Sequence, residues 1–129
     1  MMDNSMDLFD EIDRLIDLKL SHKAFVKASS GYWLPLTDIY ETPHEIIIYM
    51  EIAGMRKSDI SIIYRNGYLF VSGFRKQFFP EYIKTLHQME IDSGRFMRKI
   101  KINDDIIEEN IRAEYQDGIL RIFIPLRSA

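Results

Sequence analysis

From Trp33 onward the chain alternates short runs of Ile, Val, Phe and Tyr with tight-turn dipeptides, and that pattern leaves little room for anything but a β-rich fold. The runs are Glu45–Ile52 (EIIIYMEI), Ile60–Tyr64 (ISIIY), Tyr68–Phe74 (YLFVSGF), Phe96–Ile102 (FMRKIKI), Ile111–Tyr115 (IRAEY) and Ile119–Ile124 (ILRIFI). Asn66-Gly67, Ser93-Gly94 and Asp117-Gly118 punctuate them, with Ala53-Gly54 as a further break. Asn-Gly and Asp-Gly between apolar runs favour type I′ hairpins, because both central residues tolerate positive φ. Alternation places Leu69 and Val71 on one face. It does the same for Leu120, Ile122 and Ile124, with Arg121 and Phe123 opposite. Short strands at roughly even spacing, with no βαβ alternation and no internal repeat, predict an all-β fold: an immunoglobulin-like antiparallel β-sandwich.

The N-terminal stretch breaks this period. Leu8, Ile12, Leu15 and Ile16 recur at spacings of three and four, flanked by Asp7, Asp10, Glu11 and Asp13. That is the stripe of an amphipathic helix over about three turns, with Phe9 and Leu18 widening it. Asn4 or Ser5 suits its cap, and the early aspartates suit the positive end of the helix dipole. Lys27-Ala-Ser-Ser-Gly31 reads as a linker. The expected organisation is an arm over 1–32, a sandwich over 33–126 and a short tail over 127–129, which fits the 129-residue length.

Composition narrows the chemistry. The chain has no cysteine, so disulfides, thiolate nucleophiles and cysteine-ligated metals are excluded. His22, His44 and His87 lie far apart and form no ligand pair at helical spacing. No nucleophile–base motif, phosphate-cradling glycine loop or metalloprotease signature is present, so neither an enzyme nor a cofactor is expected. The acidic stretch Asn103–Asn110 lacks the central glycine of a calcium loop and reads as a solvated connector, with one helical turn and Ile106 and Ile107 tucked inward. Arg75, Lys76, Lys84, Arg95, Arg98, Lys99 and Lys101 interleave with aromatics. Glu81, Glu90 and Asp92 dilute them, and the net charge is −3, so nucleic acid is not an expected partner. No apolar run approaches the ~18 residues of a membrane span, and the acidic N-terminus lacks the order of a secretory signal; a cytoplasmic location is the expectation.

What the sequence does offer is apolar surface in excess of one sandwich. An amphipathic segment this short does not fold alone and must bury its stripe against something. Phe78-Phe79-Pro80 sits in a long connection between strands, and such connections tend to be functional or to pair elsewhere. Both features point to self-association or to binding of other proteins.

Five motifs, in order, carry a resemblance over Leu34 to Pro125. They are Pro35-Leu-Thr-Asp-Ile-Tyr-Glu41; Ile52-Ala-Gly-Met55 with Asp59-Ile60; Leu69-x-Val71-x-Gly73-x-Arg75; Glu90 leading into Gly94-x-Phe96-x-Arg98; and Ala113-Glu-Tyr-Gln-Asp-Gly118-Ile-Leu120. The most specific is the last, with Ala113, Gly118 and Leu120 in its defining positions. Together they closely resemble the small heat shock proteins, the alpha-crystallin domain chaperones, and Leu8–Leu15 looks like that family's N-terminal helix.

The resemblance implies ATP-independent holding of unfolding proteins. It also implies a homodimer built by strand exchange, within larger oligomers in many members. The exchanged strand would lie in the connection Lys76–Met89, at Thr85, Leu86, His87, Gln88, Met89 and Glu90, with His87 an interface residue. A strand that projects from a loop satisfies its backbone only by joining a sheet edge. Arg98, on the same face as Phe96 and Ile100, needs an intersubunit or domain-internal partner. Client contact is expected from Leu8, Phe9, Ile12, Leu15, Ile16 and Phe25. A second contact is expected at an edge groove lined by Ile60, Ile62, Ile111 and Ala113. Family members usually add a C-terminal Ile-x-Ile/Val clasp; here Ile122-Phe-Ile124 runs straight on from Leu120 and belongs to the last strand, which leaves the groove open. The competing expectation is a module similar to the CS-domain co-chaperones, binding one specific folded partner.

Overall fold

A computed structural model describes residues 32–127. Leu8, Phe9, Ile12, Leu15, Ile16 and Phe25, expected to contact clients, lie outside the described residues.

Eight strands form two four-stranded sheets. In chain order they are β1 (Tyr32–Trp33), β2 (Thr37–Glu41), β3 (Glu45–Glu51), β4 (Ile60–Arg65), β5 (Tyr68–Arg75), β6 (Gly94–Lys101), β7 (Arg112–Gln116) and β8 (Ile119–Pro125). One sheet runs β1-β6-β5-β4 and the other β2-β3-β8-β7. Every pairing is antiparallel except that of β1 with β6, which is parallel. The fold is therefore the expected all-β sandwich, and the six expected strand runs match β3 to β8 to within two residues at either end.

The turns follow their dipeptides. Asn66 and Gly67 have φ of 51° and 82°, and Asp117 and Gly118 have 55° and 79°, the double positive φ of type I′ hairpins. Ser93-Gly94 instead delivers the long connection into β6 and closes no hairpin.

The core lies between the sheets where alternation puts it. Leu69 and Val71 of β5 meet Leu120, Ile122 and Ile124 of β8, with Ile46, Ile48 and Met50 of β3, and Trp33 and Phe96 stack edge to face with ring centroids 5.4 Å apart. No polar side chain is buried among the described residues. Ile106 tucks under the acidic connector and bridges Leu126, as its sequence position implied, with a 3-10 turn at Glu108–Asn110.

Two glycines of the sequence motifs have steric reasons. A Cβ on Gly73 would lie 2.7 Å from the Asp59 carbonyl oxygen and 2.7 Å from the Phe96 ring. A Cβ on Gly118 would lie 2.8 Å from that of Ala53, and the backbone there has positive φ. Gly118 also accepts the Ile52 amide at 2.9 Å, so this turn seals the β3 end of the sandwich. Gly73→Ala is expected to lower unfolding free energy by about 1–3 kcal/mol through overpacking against backbone, read as a shifted urea midpoint at unchanged slope. An unchanged midpoint would mean that β4 and β5 can separate at no cost.

Candidate functional site

The residues between β5 and β6, 76–93, form no regular structure, although β5 and β6 are paired along their whole length. The connection leaves β5 at Arg75 and returns at Gly94, and these two residues are paired in register, so its ends meet while its middle projects. Its apolar side chains stay in water: Phe78 is 78% exposed, Tyr82 87%, Leu86 62% and Ile91 80%. Phe78, Phe79, Ile83, Leu86, Met89 and Ile91 surround an open cavity of about 700 Å3 that Ala53, Gly54 and Arg75 also line.

Arg75 holds the base of this projection. Its Nε and one terminal nitrogen donate to the Asp92 carbonyl at 3.0 and 2.6 Å, the other donates to the Ala53 carbonyl at 3.2 Å, and the guanidinium stacks on Trp33 at 4.1 Å. Planarity and a five-donor fork allow all of this at once, which a lysine could not reproduce. Across the Ala53-Gly54 loop, Tyr115 donates its hydroxyl hydrogen to the Ile52 carbonyl at 2.7 Å.

The six residues Thr85 to Glu90 sit in the exposed middle of the connection and belong to no strand of their own chain. Gln88 donates to the Glu90 carboxylate at 2.6 Å, and His87 is exposed. Arg98 lies elsewhere, on the inward side of β6 opposite Val71. It is half-buried, and among the described residues no hydrogen bond or ion pair reaches it, so the expected partner is not supplied by the described part of the domain. Burial pushes its pKa below the ordinary arginine value, the mark of a charge held partly out of water.

The strand order leaves four edges. β2 is mostly exposed, with Leu36, Ile39 and Tyr40 standing out, and a cleft of about 420 Å3 separates it from the far end of β6. Tyr40 donates to the Asp38 carboxylate at 3.3 Å, and that neighbouring negative charge raises the phenol above its usual pKa. On the opposite side β4 and β7 flank a groove of about 310 Å3. Ile62, Ile111 and Ala113 line it together; Ile60, which like Ile62 and Ile111 packs against the core, is not part of this lining. Tyr64, Leu69, Glu108 and Arg112 complete the lining. Tyr64 follows from Ile62 by alternation and Leu69 from its pairing with Tyr64 across the Asn66-Gly67 hairpin, whereas Glu108 comes from the 3-10 turn before β7, which no local pattern places there.

The family profile described as Hsp20/alpha crystallin matches residues 38–129. The chain is 35% identical over 92 residues to heat shock protein HSP.16.4 of Streptococcus thermophilus, covering 69% of this chain and 63% of that protein. It is 25% identical over 122 residues to the 17.4 kDa class I heat shock protein of Arabidopsis thaliana, covering 94% and 78%. Among solved structures, a small heat-shock protein from Xylella fastidiosa superposes with a TM-score of 0.67 at 31% identity, over 75% of this chain and 89% of that one. The hspA of Xanthomonas axonopodis gives 0.68 at 29% identity, over 75% and 97%. The all-β sandwich is thus the shared architecture. The chain belongs to the Hsp20/alpha crystallin family, the small heat shock proteins.

Arg75→Met is expected to release the base of the connection. Amide exchange at 91–94 should accelerate about tenfold, the equivalent of 1.4 kcal/mol, while strand amides in β3 and β8 keep their rates. Equal acceleration everywhere would instead mark Arg75 as a general stability residue.

Proposed function

We propose that this protein is an ATP-independent holding chaperone of the cytoplasm that dimerises through its β5–β6 connection and captures unfolding clients on apolar surface. The observation that carries this reading is the connection itself: a pinned base, an irregular backbone and large apolar side chains left in water. A sandwich with no other use for them would bury or replace them.

Thr85 to Glu90 have hydrated backbone donors and acceptors that no strand of their own chain pairs and that another sheet edge can take over. The open β2 edge of a second copy suits them, because its exposed Ile39 and Tyr40, with Leu36 just before it, offer apolar cover for Leu86 and Met89. The half-buried charge of Arg98 then gains a carbonyl or carboxylate from the second chain, offsetting a desolvation that the lone domain leaves uncompensated. Capture of a client follows from non-directional burial. At ~25 cal/mol per Å2, a few hundred Å2 contributes several kcal/mol before ordering costs, with little demand on client sequence. The arm residues Leu8, Phe9, Ile12, Leu15, Ile16 and Phe25 and the β4–β7 groove are the surfaces assigned to it.

Light scattering after gel filtration, repeated across a heating series, tests the assembly. Dimers or larger species that shift with temperature are expected, and a monomer at every temperature overturns the exchanged strand. His87→Pro removes a ladder donor in the middle of that strand. It should weaken dimerisation by about tenfold or more without moving the Tm of the sandwich, since the residue is exposed. Replacing Leu8, Ile12 and Leu15 together by Ser in the full chain should reduce nucleotide-free suppression of client aggregation several-fold. Undiminished suppression removes the arm from the mechanism.

A further inference from the structure

The outer face of the β1-β6-β5-β4 sheet carries buried apolar side chains that the sandwich itself does not cover. Ile62, Leu69, Val71, Phe96 and Ile100 point inward. Alternation therefore turns Ser61, Ile63 and Arg65, then Tyr68, Phe70, Ser72 and Phe74, then Arg95, Met97, Lys99 and Lys101 to the other side, together with Tyr32. On that side Phe70 is only 2% exposed, Met97 5% and Tyr32 6%. By register they form one diagonal strip, since Tyr32 lies opposite Arg95 beside Met97, and Met97 lies opposite Ser72 beside Phe70.

A two-layer sandwich supplies no third layer for this face. Tyr68 and Lys99 flank the Phe70 ring, at 6.3 and 5.9 Å, but a neighbour on the same sheet cannot roof a phenylalanine to this degree. Farther along the same face, Ile63 is 48% and Phe74 55% exposed. The cover is therefore local, about 10 Å across at the spacing of three adjacent strands, the width of one helix.

We propose that this strip is the docking site of the chain's own residues 1–31, with the Leu8, Ile12, Leu15 and Ile16 stripe laid on Tyr32, Met97 and Phe70. The segment joins the sheet at Tyr32, one end of the strip itself. Phe70 is only two strands away, and a linker of a dozen residues at up to ~3.3 Å each spans that distance several times over. Charge agrees as well. The outward strand positions carry Arg65, Arg95, Lys99 and Lys101 and no carboxylate, while Asp7, Asp10, Glu11, Asp13 and Asp17 flank the apolar stripe. Given the holding function proposed above, the docked arm hides its own client-binding stripe, and undocking exposes stripe and strip together.

The chain has no cysteine, so a pair can be placed at will. In the full-length protein, Glu11→Cys is combined with Ser61→Cys, exposed on the outer face beside the strip, or with Glu114→Cys on the outer face of the other sheet. Both variants are treated with a short bismaleimide in an excess of the unsubstituted chain. The Ser61 pair is expected to link within one chain at least about fivefold faster than the Glu114 pair, the advantage of local over diffuse tethering. Equal rates overturn the proposal. Linking that occurs chiefly between a Glu11→Cys chain and a separate Ser61→Cys chain overturns it too, since the occupant is then a second copy. Adding Arg95→Glu and Lys101→Glu, both exposed, should slow the link about threefold at low salt and less at high salt; an unchanged rate counts against the docking. All rates are read without client, so a docked arm in a protein that fails to suppress aggregation would refute the holding function alone.

Discussion

The Arg75 guanidinium ties together three parts of the chain that no sheet hydrogen bond connects. It reaches the last turn of the β5–β6 connection through Asp92, the β3–β4 loop through Ala53, and the first strand through the ring of Trp33. Charge-assisted bonds to carbonyls contribute about 1.5–3 kcal/mol each where partly shielded, and stacking on an indole adds about 0.5–2 kcal/mol. The consequence is geometric as much as energetic. Because the connection starts at Arg75 and is held by Arg75 at its far end, it is a closed loop whose middle must project. The short β1 strand, with only two residues on β6, gains its anchor from the same contact and from the Trp33 indole donating to the Gly94 carbonyl at 3.0 Å.

A projection fixed at its base alone has few ways to satisfy its backbone. The connection packs no apolar residue into the core. Collapse onto the sandwich would require burying unpaired peptide groups, at a cost that its side chains do not recover. Remaining extended in water keeps those groups hydrated and leaves them ready to exchange water for a strand edge. β5 and β6 cannot supply that edge, because they are already paired to each other along their full length.

These features were unequally legible in the sequence. The strands, the hairpin turns and the inward residues of β5 and β8 follow from period-two alternation and from Asn-Gly and Asp-Gly, which are local signals. β1 has two residues and no period to read. Arg75 stood among other basic residues, and its partners lie 17 and 22 positions away, so nothing nearby announces a clamp. In the groove, Ile62, Ile111 and Ala113 were readable as edge positions. Leu69 enters because the Asn66-Gly67 hairpin pairs it with Tyr64, while Ile60, on the same face as Ile62, packs against the core at the other end of β4.

The largest departure from alternation is also the most informative. A strand with one face in a sandwich core should read polar on the other, yet β5 is buried at Leu69, Phe70 and Val71 in succession. Three consecutive buried residues mean a strand covered on both sides, the pattern of a middle layer rather than an outer one. β8 shows what the unmodified rule looks like: Leu120, Ile122 and Ile124 are buried, and Arg121 and Phe123 between them are half-exposed. The two sheets therefore differ in kind. The outward side chains of β8 stay partly exposed, whereas Phe70 and Met97 on the central strands of the β1-β6-β5-β4 sheet are buried as the proposed docked segment would bury them. A layer that buries only Phe70, Met97 and Tyr32 is held by about three side chains. Roughly 1.5–3 kcal/mol for each, less the entropy of ordering the cover, leaves a net hold of a few kcal/mol. That is weak enough to open under heat while the sandwich beneath, with its core fully enclosed, stays folded.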